Sequence, residues 1–548
     1  SDLLARRTGG RYVALGRDRF VVLSEALRRR LESLASLGSV HGHELRTSPA
    51  ALPVLDELAA EGDGVSFDAK ARAKLDALRE IRAWVPPVPR GFQAELRDYQ
   101  REGYVWLCRL ARAGLGACLA DDMGLGKTVQ ALALACQRAR QGPALVVCPT
   151  SVVANWVAEA SRFAPSLRVH VLAHAVDRGE RLRSLGASDL LVCSYGLLLA
   201  EIEGLAETSF ATVVFDEAHA LKNQATKRAG AAGRLRAEVR VALTGTPVEN
   251  HLGELWSLFH LLVPGLLGSR SRFDQTFAAP IAAGDRERAM QLRALLRPFL
   301  LRRTKAQVLD ELPPRSEVTL RVEPYPGERA FYEAARRGAA ARVAALEPKK
   351  ARFEILAELT RLRQAAIDPR LLDAADAPPG AKLDVLLEHL EQLRAQGHRA
   401  LVFTQFLGSM ALVRARLQEA EIEHLELDGS TPAAERARRI EAFQAGEGDV
   451  FLLSLRAGGQ GVNLTGADYV FHLDPWWNPA VEDQATDRAH RMGQQRPVTV
   501  YRLVTEGTVE DKIVSLHATK RQLADDLLAG HERAAIPDLD ELRRLLEG

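Results

Sequence analysis

The stretch Leu119 to Thr128, "LADDMGLGKT", decides how this chain is read. The apolar run "GACLA" leads into it, and "TVQALALACQRA" follows with the apolar spacing of an amphipathic helix. The loop therefore stands where a strand passes into a helix N-terminus, where unpaired backbone N–H groups and the helix dipole favour an anion. Gly124 and Gly126 allow a tight turn with close backbone approach, Lys127 is placed to reach β and γ phosphates, and Thr128 to ligate Mg²⁺. Against this reading stand Asp121 and Asp122, two carboxylates at the mouth of a loop suited to a triphosphate.

The chain has 548 residues, 47% of them hydrophobic, and can bury several cores; a prior of about 150 residues per domain gives roughly three to four units. No run of about 18 apolar residues and no basic, apolar leader occurs, so neither a membrane span nor a secretory signal is expected, and the start at Ser1 reads as a trimmed fragment. The five cysteines (Cys108, Cys118, Cys136, Cys148, Cys193) contain no CxxC pair, which argues against a zinc ribbon or a disulfide framework and for a reducing interior. The cluster His41, Gly42, His43, Glu44 lacks further ligands at usable spacing and reads as a polar loop; no structural metal is expected. A net charge of +2 on its own says nothing for nucleic acid, since a protein that merely coats DNA usually carries a strong basic excess, so any such contact has to be local.

Outward from the loop, the β-rich runs "ALVVCP", "DLLVCS", "ATVVFD" and "VRVALTG" alternate with helical stretches, the signature of a parallel sheet covered on both faces. The rhythm returns with "RALVFTQ", "HLELDGS", "DVFLLSL", "DYVFHLD" and "VTVYRLV". The fold class is α/β with two doubly wound parallel-sheet lobes. Between them, 251–375 reads as mostly helical without strand rhythm, and "LSEALRRRLESLASL" near the start reads as helical. Proline clusters at 84–91, 311–315 and 376–380 mark boundaries. The expected division is an accessory region over 1–90, a first lobe over 91–300 with a helical insertion after about 250, a helical protrusion and linker over 301–380, a second lobe over 381–515 and a helical tail over 516–548.

Acids closing a strand project into the crevice where α/β sheets bind ligands. Asp216 and Glu217 close "ATVVF"; Asp216 suits Mg²⁺, and Glu217 suits orienting and deprotonating an attacking water. "LTGTPVEN" (243–250) offers hydroxyls on the same sheet edge or is a plain turn. Gln100, in "LRDYQREGYVWL", has an amide able to read an adenine edge in two hydrogen bonds.

In the second lobe, "DPWWNPAVEDQATDRAHRMGQ" (474–494) predicts a helix capped by Asn478, with Pro479 at its first position and Gly493 at its end. Gln484, Arg488 and Arg491 then share one face, and the two arginines are either solvated surface or fingers aimed at a nucleotide. In "SLRAGGQGVNLT" (454–465), Gly459 and Gly461 expose N–H groups able to cradle a phosphate of ATP or of a nucleic-acid backbone, unless the segment is a plain loop. Trp476 and Trp477 either stack on a base or pack partly into the core, and "LLRRTK" (300–305) is either a basic patch or an acid-paired helix end.

Taken in order, "DDMGLGKT", "DEAH", "LTGTPVEN", "LRPFLLRRTKAQVLDELP", "LVFTQF", "LDGST", "SLRAGGQGVNLT" and "DQATDRAHRMGQ" resemble the motif series of the Swi/Snf family of ATP-dependent DNA translocases, within helicase superfamily two, over about residues 92–520. The resemblance implies two RecA-like lobes, ATP with Mg²⁺ as cofactor, and double-stranded DNA gripped by its backbone without obligatory strand separation. It implies Gln100 on adenine, Lys127 and Thr128 on phosphates and Mg²⁺, Asp216 and Glu217 in hydrolysis, Gln484 beside the nucleotide, and Arg488 and Arg491 as fingers. It also implies DNA contacts at Thr150, Ser151, Ser194 and Tyr195, and at Gln405, Gly429, Ser430, Thr431 and Arg456 with its glycine loop. Gln460 departs from the usual Gly, Val or Leu. In this family Asp121 is an expected letter, and both Asp121 and Asp122 are expected to turn from the triphosphate, leaving backbone N–H groups to face it.

The rival readings are an RNA-directed superfamily-two helicase, against which "TGTP" and "QATDRAHRMGQ" argue, and a catalytically silent nucleic-acid-binding scaffold, against which Lys127, Glu217, Arg488 and Arg491 argue. Arginine- and alanine-rich composition suits a prokaryotic, cytoplasmic or nucleoid-associated protein, and a monomer is expected. Some bacterial relatives act with RNA polymerase, but no residue identifies that partner.

Overall fold

The computed structural model describes residues 69–515, apart from 224–225, 246–251, 310–311, 345–347, 373, 375 and 456–462, together with short pieces before 69. It divides into two compact units between Thr304 and Lys305. The early pieces are two antiparallel pairs, β1 (Tyr12–Ala14) with β2 (Phe20–Val22) and β3 (Gly38–His41) with β4 (Glu44–Thr47). His41 is paired across β3–β4 with Glu44, and among the described residues no group of three metal-ligating side chains occurs. The helical reading of residues 23–37 and the tail 516–548 lie outside the described residues.

The first unit is built on seven parallel strands in the order β11-β5-β10-β9-β6-β8-β7. These are β5 (Ala117–Leu119), β6 (Ala144–Cys148), β7 (Arg168–Val171), β8 (Asp189–Ser194), β9 (Ser209–Asp216), β10 (Arg236–Leu243) and β11 (Leu300–Leu301). β5, β6 and β8 are buried along their whole length, as strands covered on both faces must be, which is why they read as unbroken apolar runs. β5 and β9 flank β10, so the loops leaving their carboxyl ends open onto one edge of the sheet.

The second unit holds six parallel strands in the order β12-β17-β16-β13-β15-β14. They are β12 (Arg315–Val322), β13 (Ala400–Thr404), β14 (His424–Leu427), β15 (Val450–Ser454), β16 (Tyr469–His472) and β17 (Val498–Thr505). β12 corrects the reading of 251–375 as free of strands. Its residues "RSEVTLRV" pair along their full length with β17, but as an edge strand with only one buried residue they carry no apolar run for sequence inspection to find. The two-residue β11 lies in that span as well; the rest of its described residues are mostly helical, chiefly in Leu252–Leu262, Arg286–Leu296, Pro326–Ala344 and Pro348–Ile367. No helix among the described residues is long and apolar enough to cross a membrane.

Candidate functional site

The loop after β5 has the conformation its glycines allow. Gly124 and Gly126 have φ of 86° and 76°, in the left-handed region that side chains resist, and Gly126 directly precedes the helix Lys127–Arg138. A Cβ on Gly126 would also lie 2.4 Å from the Gln100 amide nitrogen. Lys127 folds back over the loop and donates to the carbonyls of Asp121 (2.7 Å) and Asp122 (3.2 Å). Close backbone, a helix N-terminus and a mobile-stemmed ammonium fit a nucleoside triphosphate, with Thr128 in the first turn of the helix.

Asp121 is fully buried, and its carboxylate is accounted for. Arg303 Nη2 approaches Oδ2 at 2.5 Å, Arg303 Nε and backbone N–H donate to Oδ1 at 3.0 and 3.1 Å, and Gln130 adds a longer bond. The Arg303 guanidinium also donates to the carbonyl of Tyr99, and Asp122 N–H donates to the Arg303 carbonyl. Residues 301–303 thus run beside the entry to the loop as a continuation of β11. The charge pair joins the loop to a segment 182 positions away.

Gln100 is buried, and both ends of its amide are engaged inside the unit. Its oxygen accepts from Arg97 N–H (3.1 Å), while its nitrogen donates to the Leu125 carbonyl (3.2 Å). It couples the helix Asp98–Arg112 to the phosphate loop.

At the end of β9, Asp216 Oδ2 accepts from the buried Trp156 indole at 2.8 Å and Oδ1 from Glu217 N–H at 2.9 Å. Burial first, and then the neighbouring Glu217 carboxylate, push its pKa up to about 6 against the pull of Trp156 and Lys127. Glu217 has φ 47° and ψ 53°, an uncommon backbone for a residue with a side chain, and lies 3.3 Å from His219 Nδ1. Tyr195 is buried with its hydroxyl donating to the Asp216 carbonyl (2.8 Å), and Ser194 caps the helix Tyr195–Ala200 through Leu197 N–H. Both side chains read from sequence as DNA contacts therefore have partners inside the unit. Thr150 and Ser151, in a turn after β6, are exposed. Of "LTGTPVEN", Thr244 N–H bonds Leu119, and residues 246–250 lie outside the described residues.

In the second unit, Asn478 caps the helix Pro479–Thr486 by accepting from Ala480 N–H, with Pro479 in its first turn. The helix stops at Thr486, seven residues before the expected end at Gly493. Beyond it the N–H groups of Arg488 and Ala489 reach three residues back, and Lys305 takes both the Asp487 carboxylate (2.7 Å) and the His490 carbonyl. Arg488, which is buried, and Arg491 therefore stand on turns and do not share a helix face with Gln484; Gly493, with φ 100°, closes the last turn. The open reading of "LLRRTK" resolves as acid-paired at Arg303 and Lys305.

Gln405 donates to Asp474 at 2.5 Å, and Thr404 donates to the same buried carboxylate at 2.6 Å. Behind them the buried Arg363 bonds the Pro475 carbonyl and lies over the rings of Trp476 (5.4 Å) and Trp477 (5.5 Å), so one side of the Trp pair packs inward. Gly429 and Ser430 are exposed, and Asp428 holds both Ser430 and Thr431 by backbone and hydroxyl bonds. Arg456, Gly459, Gln460 and Gly461 lie outside the described residues. Sequence reading missed Trp156 and Arg363, and gave no partners for Arg303 and Lys305.

A phosphate loop and a strand-end Asp-Glu pair on one parallel sheet, with a second parallel sheet downstream, define a P-loop nucleoside triphosphatase of the helicase type. Residues 99–371 match the SNF2-related domain, and residues 381–493 match the helicase conserved C-terminal domain. The ATP-dependent helicase/translocase YwqA of Bacillus subtilis is 38% identical over 83% of this chain and 51% of its own length. The human SWI/SNF-related matrix-associated actin-dependent regulator of chromatin subfamily A member 1 is 37% identical over 78% of this chain and 43% of its own. The chain thus spans about half or less of the length of these curated relatives. A solved Sulfolobus solfataricus SWI2/SNF2 ATPase core in complex with dsDNA is 37% identical, covering 81% of this chain and 95% of that one, with a TM-score of 0.43. This chain belongs to the SNF2-related family of ATP-dependent helicases and translocases.

Proposed function

We propose that this chain hydrolyses ATP to move along double-stranded DNA and displaces or remodels proteins bound there, without obligatory separation of the strands. The observation that carries the hydrolytic part is the pairing of the Gly124–Thr128 loop with Asp216 and Glu217, at strand ends separated by β10 alone. Lys127 and the loop N–H groups hold the phosphates, and Glu217, beside His219, orients water and takes its proton. Thr128 and Asp216 would hold Mg²⁺, which would supply charge neutralisation for the transferring phosphoryl group. Arg488 and Arg491 are the arginine fingers of this reading. Gln100 reads adenine only by exchanging one of its present hydrogen bonds.

The DNA grip rests on exposed hydroxyls and backbone at Thr150, Ser151, Gly429 and Ser430. Such groups position on phosphates without reading bases, and a near-neutral chain can release each phosphate after a step. ATP turnover measured alone and with duplex DNA, single-stranded DNA and RNA tests the reading. Duplex DNA is expected to stimulate most, and Glu217→Gln to lower turnover about 10²- to 10⁴-fold. Stimulation by RNA alone would transfer the motor to RNA; turnover unchanged in Glu217→Gln would remove the assigned base.

A further inference from the structure

Resting on that hydrolytic reading, the structure assigns a positioning role to Lys305, at the end of "LLRRTK", a residue given no part in the chemistry so far. Lys305 is largely buried, and its single ammonium holds the Asp487 carboxylate at 2.7 Å and the His490 carbonyl, on either side of Arg488 in the chain. The same short segment reaches this turn twice more. The Pro313 carbonyl accepts from His490 Nε2 at 2.9 Å, and Arg315 pairs with Asp483, in the helix leading into the turn, at 2.7 Å. Burial holds the His490 imidazole below its usual pKa, so near neutrality it stays uncharged and adds no repulsion to the Lys305 ammonium.

We propose that Lys305, acting through Asp487, sets the position of the turn that carries Arg488 and Arg491 and thereby governs the rate of phosphoryl transfer while leaving ATP binding alone. A buried ammonium requires partners, and an anchor for the helix end would satisfy that requirement equally well. What separates the two roles is where the contacts converge. Both accept on the turn that carries the arginines, and a guanidinium displaced by about 1 Å at a reacting phosphate costs on the order of 100-fold.

The test uses the full chain with Lys305→Met, which keeps the length of the stem, Asp487→Asn, and the two combined. Each single change is expected to lower kcat about 10- to 100-fold with KM for ATP little changed; because each also breaks a buried ion pair, turnover is read well below the unfolding temperature of every variant. The double variant is expected to match the worse single one, because one contact is lost in all three. Unchanged kcat, a loss carried by KM, or losses that multiply would each overturn the assignment. Amide hydrogen exchange at residues 487–491 is read on the same proteins and needs no turnover. Faster exchange is expected in Lys305→Met, and equal exchange overturns the proposal even if the unaltered chain proves inactive toward ATP, an outcome that would instead remove the hydrolytic reading.

Discussion

The two units hold their functional groups by different means. In the first, the loop carrying Lys127 and the pair Asp216–Glu217 leave the ends of β5 and β9, and the register of a parallel sheet fixes where those ends fall. In the second, Arg488 and Arg491 lie on turns past the end of a helix, and those turns are tied down by Lys305 and Arg315 at separations of 182 and 168 positions. Backbone ladders survive side-chain substitutions other than proline, whereas an ion pair vanishes with either partner. Catalytic geometry in the first unit should therefore fail only at the chemical groups themselves, and in the second also at residues that touch no reactant.

The sharpest way to break this contrast is Arg488→Ala. It should lower turnover about 10³-fold or more with ATP binding retained, because a finger acts on the transition state; single-turnover hydrolysis at saturating ATP reads it, and a normal rate would leave the second unit without a catalytic group. Next comes the exception inside the first unit, where Asp121 depends on Arg303. Arg303→Met strands a buried carboxylate and should cost about 3 to 5 kcal/mol in urea unfolding, most of it recovered in Asp121→Leu with Arg303→Met. No loss in the single variant would mean that the pair carries no weight.

A smaller effect concerns Asp216. Its folded pKa is raised to about 6, so its ionised form is disfavoured by folding, and its contribution to stability weakens as pH rises from the carboxylate range through about 6. In the role proposed for Asp216, holding Mg²⁺ would require the ionised form, so metal affinity should fall as pH drops below about 6. Trp156→Phe removes the indole donor that favours that form, and the acid limb of kcat/KM should move to higher pH by about one unit. A limb that stays in place would separate the limb from Asp216. Smallest of all, Asp428→Ala releases the hydroxyls of Ser430 and Thr431 and should weaken duplex DNA binding only a few-fold, since each such bond contributes about 1 kcal/mol; DNA-free turnover should not change.

Most of the first unit's site was legible because its determinants are local: "GLGKT" needs its own glycines, and Asp216 needs only the strand before it. The partners that fix those groups were not legible. Nothing in "LLRRTK" says that Arg303 meets Asp121 or that Lys305 meets Asp487, since both pairings exist only after the chain has folded across 182 positions. The edge strand β12 escaped for a related reason: a strand paired on one side and exposed along most of its length need not look apolar. The expected helix through Arg491 failed because caps were read from both ends of the segment, whereas the side chain of Lys305 takes the His490 carbonyl in between.

Glu217, with φ 47°, occupies a backbone conformation that glycine and asparagine adopt with less strain. At this position the residue that folds best is not the residue proposed to do the chemistry. A library selected only for heat resistance should therefore drift toward Glu217→Gly or Glu217→Asn and yield proteins that outlast the parent while turning over no ATP. Retention of glutamate here under such selection would mean that the strained turn is held by something other than function.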